Sequence, residues 1–240
     1  MFFFKYIYIA ILMFLTIFLR MYLFVIEKIE SPEKYNNAVY WIVNGWAAYI
    51  LKVIGVKVKV KGIENLPEGN CLIVSNHQGN ADFLVLMSRL NKQMGFLAKK
   101  EILKLHIVGA WMKVMHCVFI DRENIRESLK AINEGIDNLE KGYSMVIFPE
   151  GTRSKSHVLG EFKKGSMKMA TKASVPIVPI VLDNTFKVFE EGNGKLRPAE
   201  VTMSILEPID IVKLTKEEKA KLAEIVRERI EKELNTLIKK

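Results

Sequence analysis

The sequence predicts an α/β fold: a mixed, largely parallel sheet covered by helices and preceded by an N-terminal membrane-associated helix pair. Three observations predict it. Short apolar runs recur from residue 56 onward, stretches of helical periodicity separate them, and residues 1–55 carry a more apolar texture. Strands alternating with helices favour a sheet covered on both faces. The expected division is a two-helix membrane-binding segment at 1–55 and an α/β catalytic body at 56–240.

The chain has 240 residues, 50% hydrophobic and 26% charged, a balance that excludes intrinsic disorder. Its net charge of +9 suits an anionic partner: a membrane, a phosphorylated substrate or nucleic acid. Nucleic acid is disfavoured, because no binding module appears and the basic residues lie near lipid-suited segments. Cys71 and Cys117 lack metal-site spacing and sit in apolar runs, so both are expected buried and no metal is expected.

Tyr6–Leu19 holds no charge and is bracketed by Lys5 and Arg20. Fourteen helical residues reach about 21 Å, short of the roughly 30 Å hydrocarbon core, so a span needs Arg20 at the headgroups. A signal peptide is disfavoured, because no small-residue cleavage site follows. Ser31-Pro32 marks the start of a second helix. It is rich in aromatics that collect at membrane boundaries, although Asn36, Asn37 and Asn44 oppose full burial in lipid. Either this helix packs on the soluble core or the pair dips into one leaflet; the second is slightly favoured over a single span. Expected membrane contacts are Phe2, Phe3, Phe4, Tyr8, Leu12, Phe18, Trp41 and Trp46, placing the protein at the cytoplasmic side of the cell membrane.

In the body, strands are expected at Val56–Gly62, Cys71–Val74, Gly95–Ala98, Cys117–Ile120, Met145–Phe148, Ile177–Leu182 and Val201–Leu206. Helices are expected at Asn124–Lys141, at Lys164–Ala173 and from Thr215 onward. The last opens on the capping box Thr215–Glu218 and carries the stripe Leu222, Val226, Ile230, Leu234, Ile238. Lys164, Lys168 and Lys172 share a face that is either solvated or drawn to anionic lipid. Pro179 cannot donate to a ladder and marks a bulge or an edge.

Four motifs carry chemistry. His77 follows an apolar run, where a base in an α/β protein sits, and Asp82 can return to its Nδ1 if a helix begins between them. The alternative is a histidine capping that helix. Phe119-Ile120-Asp121-Arg122 places an arginine past a strand end, as a phosphate fork or a helix-entry salt bridge. Phe148–Ser154 forms a strand-to-loop corner. There Gly151 admits close backbone approach, Thr152 and Ser154 offer hydroxyls, and Arg153 offers an anion clamp. Glu150 is expected to orient an arginine or substrate hydroxyls. Val175–Ile180 is mostly structural. There is no Gly-x-Ser-x-Gly elbow and no cysteine beside the histidine in sequence.

Taken together, in this order and spacing, the four motifs resemble those of the glycerolipid acyltransferase family, most closely its 1-acyl-sn-glycerol-3-phosphate acyltransferases. The resemblance covers about residues 71–182. It implies a glycerolphosphate acyltransferase-like fold. It also implies transfer of an acyl chain from acyl-ACP or acyl-CoA, with no cofactor, to the sn-2 hydroxyl of lysophosphatidic acid. Arg122, Glu150, Gly151, Thr152, Arg153 and Lys163 would then hold the acceptor phosphate. Rival readings keep the fold and change the acceptor to glycerol-3-phosphate or another lysophospholipid, or leave a non-catalytic lipid-binding protein. Two departures stand out: His116 where the family often has glycine, expected to reshape the acceptor pocket, and Gly79 where it often has serine, expected to be tolerated.

Overall fold

The structure, a computed structural model, describes residues 2–163 and 165–239, with side chains from residue 5. Two long helices come first, α1 (Phe2–Ile29) and α2 (Pro32–Ile54). The body then runs β1 (Lys57–Lys61), β2 (Leu72–Ser75), α3 (Ala81–Arg89), β3 (Met94–Lys99), α4 (His106–Val114), β4 (Val118–Ile120), α5 (Ile125–Glu140) and β5 (Ser144–Ile147). It continues with α6 (Lys168–Ala173), β6 (Ile177–Asp183), β7 (Glu200–Ile205), α7 (Lys216–Ala220) and α8 (Leu222–Ile238). All seven expected strands form, and each bound falls within a residue or two of the pattern.

The sheet has the order β1-β7-β6-β2-β5-β3-β4. Strands β6, β2, β5, β3 and β4 run parallel, β7 joins β6 antiparallel, and β1 follows β7 in parallel. The inner strands are apolar on both faces, as a doubly covered sheet requires. Ile73, Val146, Val178 and Ile180 face a core built with α2 and α3. Leu72, Val74, Met145, Ile147 and Val181 face a second core under α5, α6 and α8. Cys71 and Cys117 are both free and buried. Burial pushes the Cys117 thiol up to about 12, so it packs as an inert hydrophobe.

Pro179 lies in an inner strand, not at an edge. Its carbonyl accepts from Leu206 N–H where the ladder to β7 is interrupted, between the pairs Ile177–Ile209 and Ile180–Ile205. The irregularity removes the need for a donor at 179. The capping box at Thr215 and Glu218 is present, but Lys221 interrupts the helix it opens. Along α8, Leu222, Val226, Ile230 and Leu234 are buried, whereas Ile238 is exposed and Leu237 takes its place. Each four-residue step overshoots a full turn by about 40°, so the stripe precesses off the core. Helix α6 begins only at Lys168; Lys164 lies outside the described residues, and Lys168 and Lys172 are exposed.

The first 55 residues divide by packing. Ser31 caps α2, and α2 buries Val39, Ala47, Ile50, Leu51 and Ile54. Its asparagines serve the protein: Asn36 donates to Tyr143 Oη, and Asn44 donates to the Met87 carbonyl. Helix α2 therefore packs on the body, as the first of its two sequence readings had it. Helix α1 runs about 42 Å at 1.5 Å per residue. It is long and apolar enough to cross a membrane by length and composition, and most of it is exposed. Tyr8, Phe18 and Trp41 face outward. Leu12 and Trp46 instead turn inward against the main core, which corrects the outward position expected of them. Phe2, Phe3 and Phe4 have side chains outside the described set. Arg20 donates to the carbonyl of Ala110 in α4.

His116 precedes β4, at the opposite edge of the sheet from His77, which follows β2. It does not border the acceptor site, contrary to the expectation from its departure from glycine. Its φ of 56° lies in the left-handed region, where glycine carries no penalty. The ring stacks on Tyr143 at 3.9 Å between centroids. Burial, and then the charge of Lys141, hold its pKa below the ordinary 6.5. A depressed histidine contributes stability above pH 6.5 that is lost as pH falls through the folded value. His116→Asn keeps a residue suited to positive φ. Its thermal midpoint should fall less than the wild type's between pH 7 and pH 5; equal slopes would rule out His116 as the source.

Candidate active site

The site lies where the parallel strands end, the usual ligand edge of such sheets. β2 delivers His77, its neighbour β5 delivers Phe148–Ser154, and β6 on the other side delivers Asn184 and Thr185. The chain turns after β2 directly into α3, so Asp82 sits in that helix's first turn. Asp82 is fully buried, and its Oδ2 accepts from His77 Nδ1 at 2.7 Å and from Gly79 N–H at 3.0 Å. With Nδ1 engaged, Nε2 is the nitrogen left for chemistry, and it makes no hydrogen bond among the described residues. The imidazole stacks on Phe148 at 4.1 Å, with Phe83 edge-on at 5.7 Å. Two rings and one carboxylate thus fix tautomer and orientation.

The Glu150 carboxylate is taken up by backbone donors. It is buried, with Oε1 accepting from His77 N–H at 2.7 Å and Oε2 from Gly160 N–H at 2.8 Å. Burial raises its pKa, and those two N–H donors oppose the rise. A carboxylate would repel a phosphate, and this one braces the histidine's backbone instead. The same loop returns backbone bonds, Ser154 N–H to the His77 carbonyl at 2.8 Å and Lys155 N–H to the Gln78 carbonyl at 3.1 Å. Gln78 Oε1 in turn accepts from the Thr185 backbone and hydroxyl.

The cations do converge. Arg122, three strand positions from β2, reaches back and donates to the Gly151 carbonyl, so it is not a helix-entry salt bridge. Gly151 has φ 72°, and an added Cβ there would meet the Lys163 side chain. Thr152 is exposed between them. Arg153 extends from the same loop and donates to Glu190 at 3.0 Å. Arg122 and Lys163 thus both approach Gly151, and Arg153 extends from the same loop toward Glu190.

Sequence reasoning missed Glu190, Gln78, Phe83 and the pair His157–Asp183, which is joined at 3.1 Å. Glu190 lies 113 positions from His77 in an irregular loop, where no spacing rule operates. Phe83 could have been found, because it follows Asp82 on a predicted helix start. It also missed an apolar cavity of about 220 Å³ beside the site, bordered by Phe83, Asn80, Trp46, Trp111, Met112 and Met115. Gly79 is tighter than expected: a Cβ there would collide with Glu190 Oε2, so serine fits only if Glu190 moves. Among the described residues, no cluster of three His, Cys, Asp or Glu side chains is placed to hold a metal.

An imidazole held by a buried carboxylate, an arginine-bearing loop and an apolar cavity lie together at the carboxyl ends of the strands. Residues 57–183 match the family model described as Acyltransferase, and the chain belongs to that family. It is similar to the 1-acyl-sn-glycerol-3-phosphate acyltransferase of Borreliella burgdorferi, 35% identical over 188 residues, 78% of this chain and 75% of that one. The probable 1-acyl-sn-glycerol-3-phosphate acyltransferase of Mycoplasma pneumoniae is also 35% identical, over 174 residues, 71% of this chain and 64% of the relative's length. Among solved structures, the 1-acyl-sn-glycerophosphate (LPA) acyltransferase PlsC of Thermotoga maritima aligns with a TM-score of 0.86. That alignment is at 26% identity, over 100% of this chain and 97% of that one.

The bracing role of Glu150 is testable. Glu150→Ala leaves two part-buried N–H groups without an acceptor, a cost of up to about 1–3 kcal/mol each. The thermal midpoint and kcat should fall with the acceptor KM little changed; a rise in that KM alone would restore the phosphate-binding reading.

Proposed function

We propose that the protein transfers a fatty acyl chain from an acyl thioester to the sn-2 hydroxyl of 1-acyl-sn-glycerol-3-phosphate, making phosphatidic acid for phospholipid synthesis. The observation that carries the reading is the held imidazole, with Asp82 on Nδ1 and Nε2 left for the acceptor. The names of the relatives support the same acceptor.

In this reading, His77 Nε2 takes the proton from the acceptor hydroxyl, and the oxygen attacks the thioester carbonyl carbon. The carbon–sulfur bond breaks, and the thiolate leaves with the proton carried by His77. Asp82 stabilises the imidazolium between the two transfers. Arg122, Arg153 and Lys163 hold the acceptor phosphate, with Thr152 and the Gly151 backbone at the same corner. The apolar cavity receives an acyl chain. The donor is carried by acyl carrier protein or coenzyme A. No cofactor is needed for this chemistry.

The protein works at the cytoplasmic face of the cell membrane, held by α1 without a crossing. Two features support this. Arg20 binds the Ala110 carbonyl, so a vertical α1 would draw α4 and its charges into the bilayer. The exposed face of α1 carries Phe14, Phe18, Met21 and Phe24, an apolar stripe suited to lie in the interface.

His77→Ala should lower kcat by at least about 10²–10⁴-fold while lysophosphatidic acid still binds. Near-normal turnover would refute the base assignment. For topology, single cysteines at Phe2→Cys and Glu30→Cys should react with an impermeant maleimide from the same side of intact vesicles, the native cysteines being buried. Labelling from opposite sides would mean that α1 crosses.

A further inference from the structure

We infer that Glu190 is a positioning residue, a fixed buried post that aims the Arg153 guanidinium at the acceptor phosphate. The inference rests on the phosphate-clamp reading of Arg153 and deepens it.

Four observations carry it. Glu190's side chain is only 4% exposed, whereas its partner Arg153 is 36% exposed. A partly exposed arginine on a loop has several rotamers, and holding one of them costs side-chain entropy. One guanidinium nitrogen donates to Glu190 Oε1 at 3.0 Å, which removes much of that freedom before substrate arrives. The same oxygen accepts from Asn80 N–H at 2.8 Å, just ahead of α3, so arginine and catalytic loop are registered to one atom.

The post cannot swing away. Its Oε2 is packed against Gly79, with so little room that a Cβ at 79 would collide with it. Its own loop is pinned from several sides. Glu190 N–H and Glu191 N–H both donate to the Phe186 carbonyl at 3.0 Å, and Arg197 N–H donates to the Val188 carbonyl at 2.9 Å. Tyr6 of α1 holds the far end, its hydroxyl donating to the Gly194 carbonyl and accepting from Leu196 N–H. Arg153 is thus tied through Glu190 to the apolar helix itself.

Position and charge make opposite demands. The carboxylate's charge near a phosphate repels it, while its geometry holds the arginine that attracts it. Its burial behind Arg153 puts geometry first, and two conservative variants separate the effects. Glu190→Asp keeps the charge but withdraws it by one methylene, out of joint reach of Asn80 and Arg153. Glu190→Gln keeps an oxygen in place and loses the charge.

The test is steady-state kinetics of the full-length protein in mixed micelles, varying lysophosphatidic acid at saturating acyl donor. Glu190→Asp should raise the acceptor KM about tenfold, the size of one charge-assisted contact, with kcat within about twofold. Glu190→Gln should stay within about threefold of wild type in both constants. In an Arg153→Ala background, where KM is already raised, Glu190→Asp should add nothing. The inference is overturned if Glu190→Asp leaves KM unchanged, if Glu190→Gln is the more damaging variant, or if the Asp effect persists without Arg153. If Arg153→Ala alone leaves KM unchanged, the phosphate-clamp reading fails instead. Matching thermal midpoints in the Asp and Gln variants keep misfolding out of the comparison.

Discussion

The site is organised around Asp82 Oδ2, which receives His77 Nδ1 and Gly79 N–H together. One buried oxygen thereby closes the turn that starts α3 and fixes which imidazole nitrogen faces the substrate. Asp82 is fully buried and its Oδ2 takes up both donors at once, so the turn and the imidazole's orientation depend on each other. Phe83 and Phe148 exclude water around that pair and hold the ring plane.

The surrounding loops repeat this economy of paired roles. Glu150 braces the His77 backbone and also the Gly160 end of its own loop. Glu190 joins the arginine to the catalytic turn. Each of these carboxylates is buried and works through backbone N–H groups. Arg122 and Lys163 approach the Gly151 loop from outside, and Arg153 lies partly exposed over Glu190.

The two ends of the sheet differ for a physical reason. Parallel strands place their loop-bearing carboxyl ends together, so residues separated by 73 or more positions meet at His77. The opposite edge collects structural solutions such as His116, whose left-handed backbone is stabilised by its stack on Tyr143 and by burial. The N-terminal helices join the two functions. Helix α2 completes the core with Ile50, Leu51 and Ile54. Helix α1 offers lipid-suited surface and touches the site's supporting loop through Tyr6.

The seven strands, the helix α5, the capping box at Thr215 and the pair His77–Asp82 were legible in the sequence. They depend on local periodicity, capping chemistry or a spacing within one turn of helix. The sequence alone also placed a histidine and several cations past strand ends. Tertiary structure decided which way each group faces. It turned Glu150 inward, because its two acceptors were needed by backbone donors. It turned Leu12 and Trp46 onto the core, because α2 packs against α3. It moved His116 to the far edge and brought in Glu190 from an irregular loop. Such choices follow from contacts between distant segments, and no local pattern encodes them.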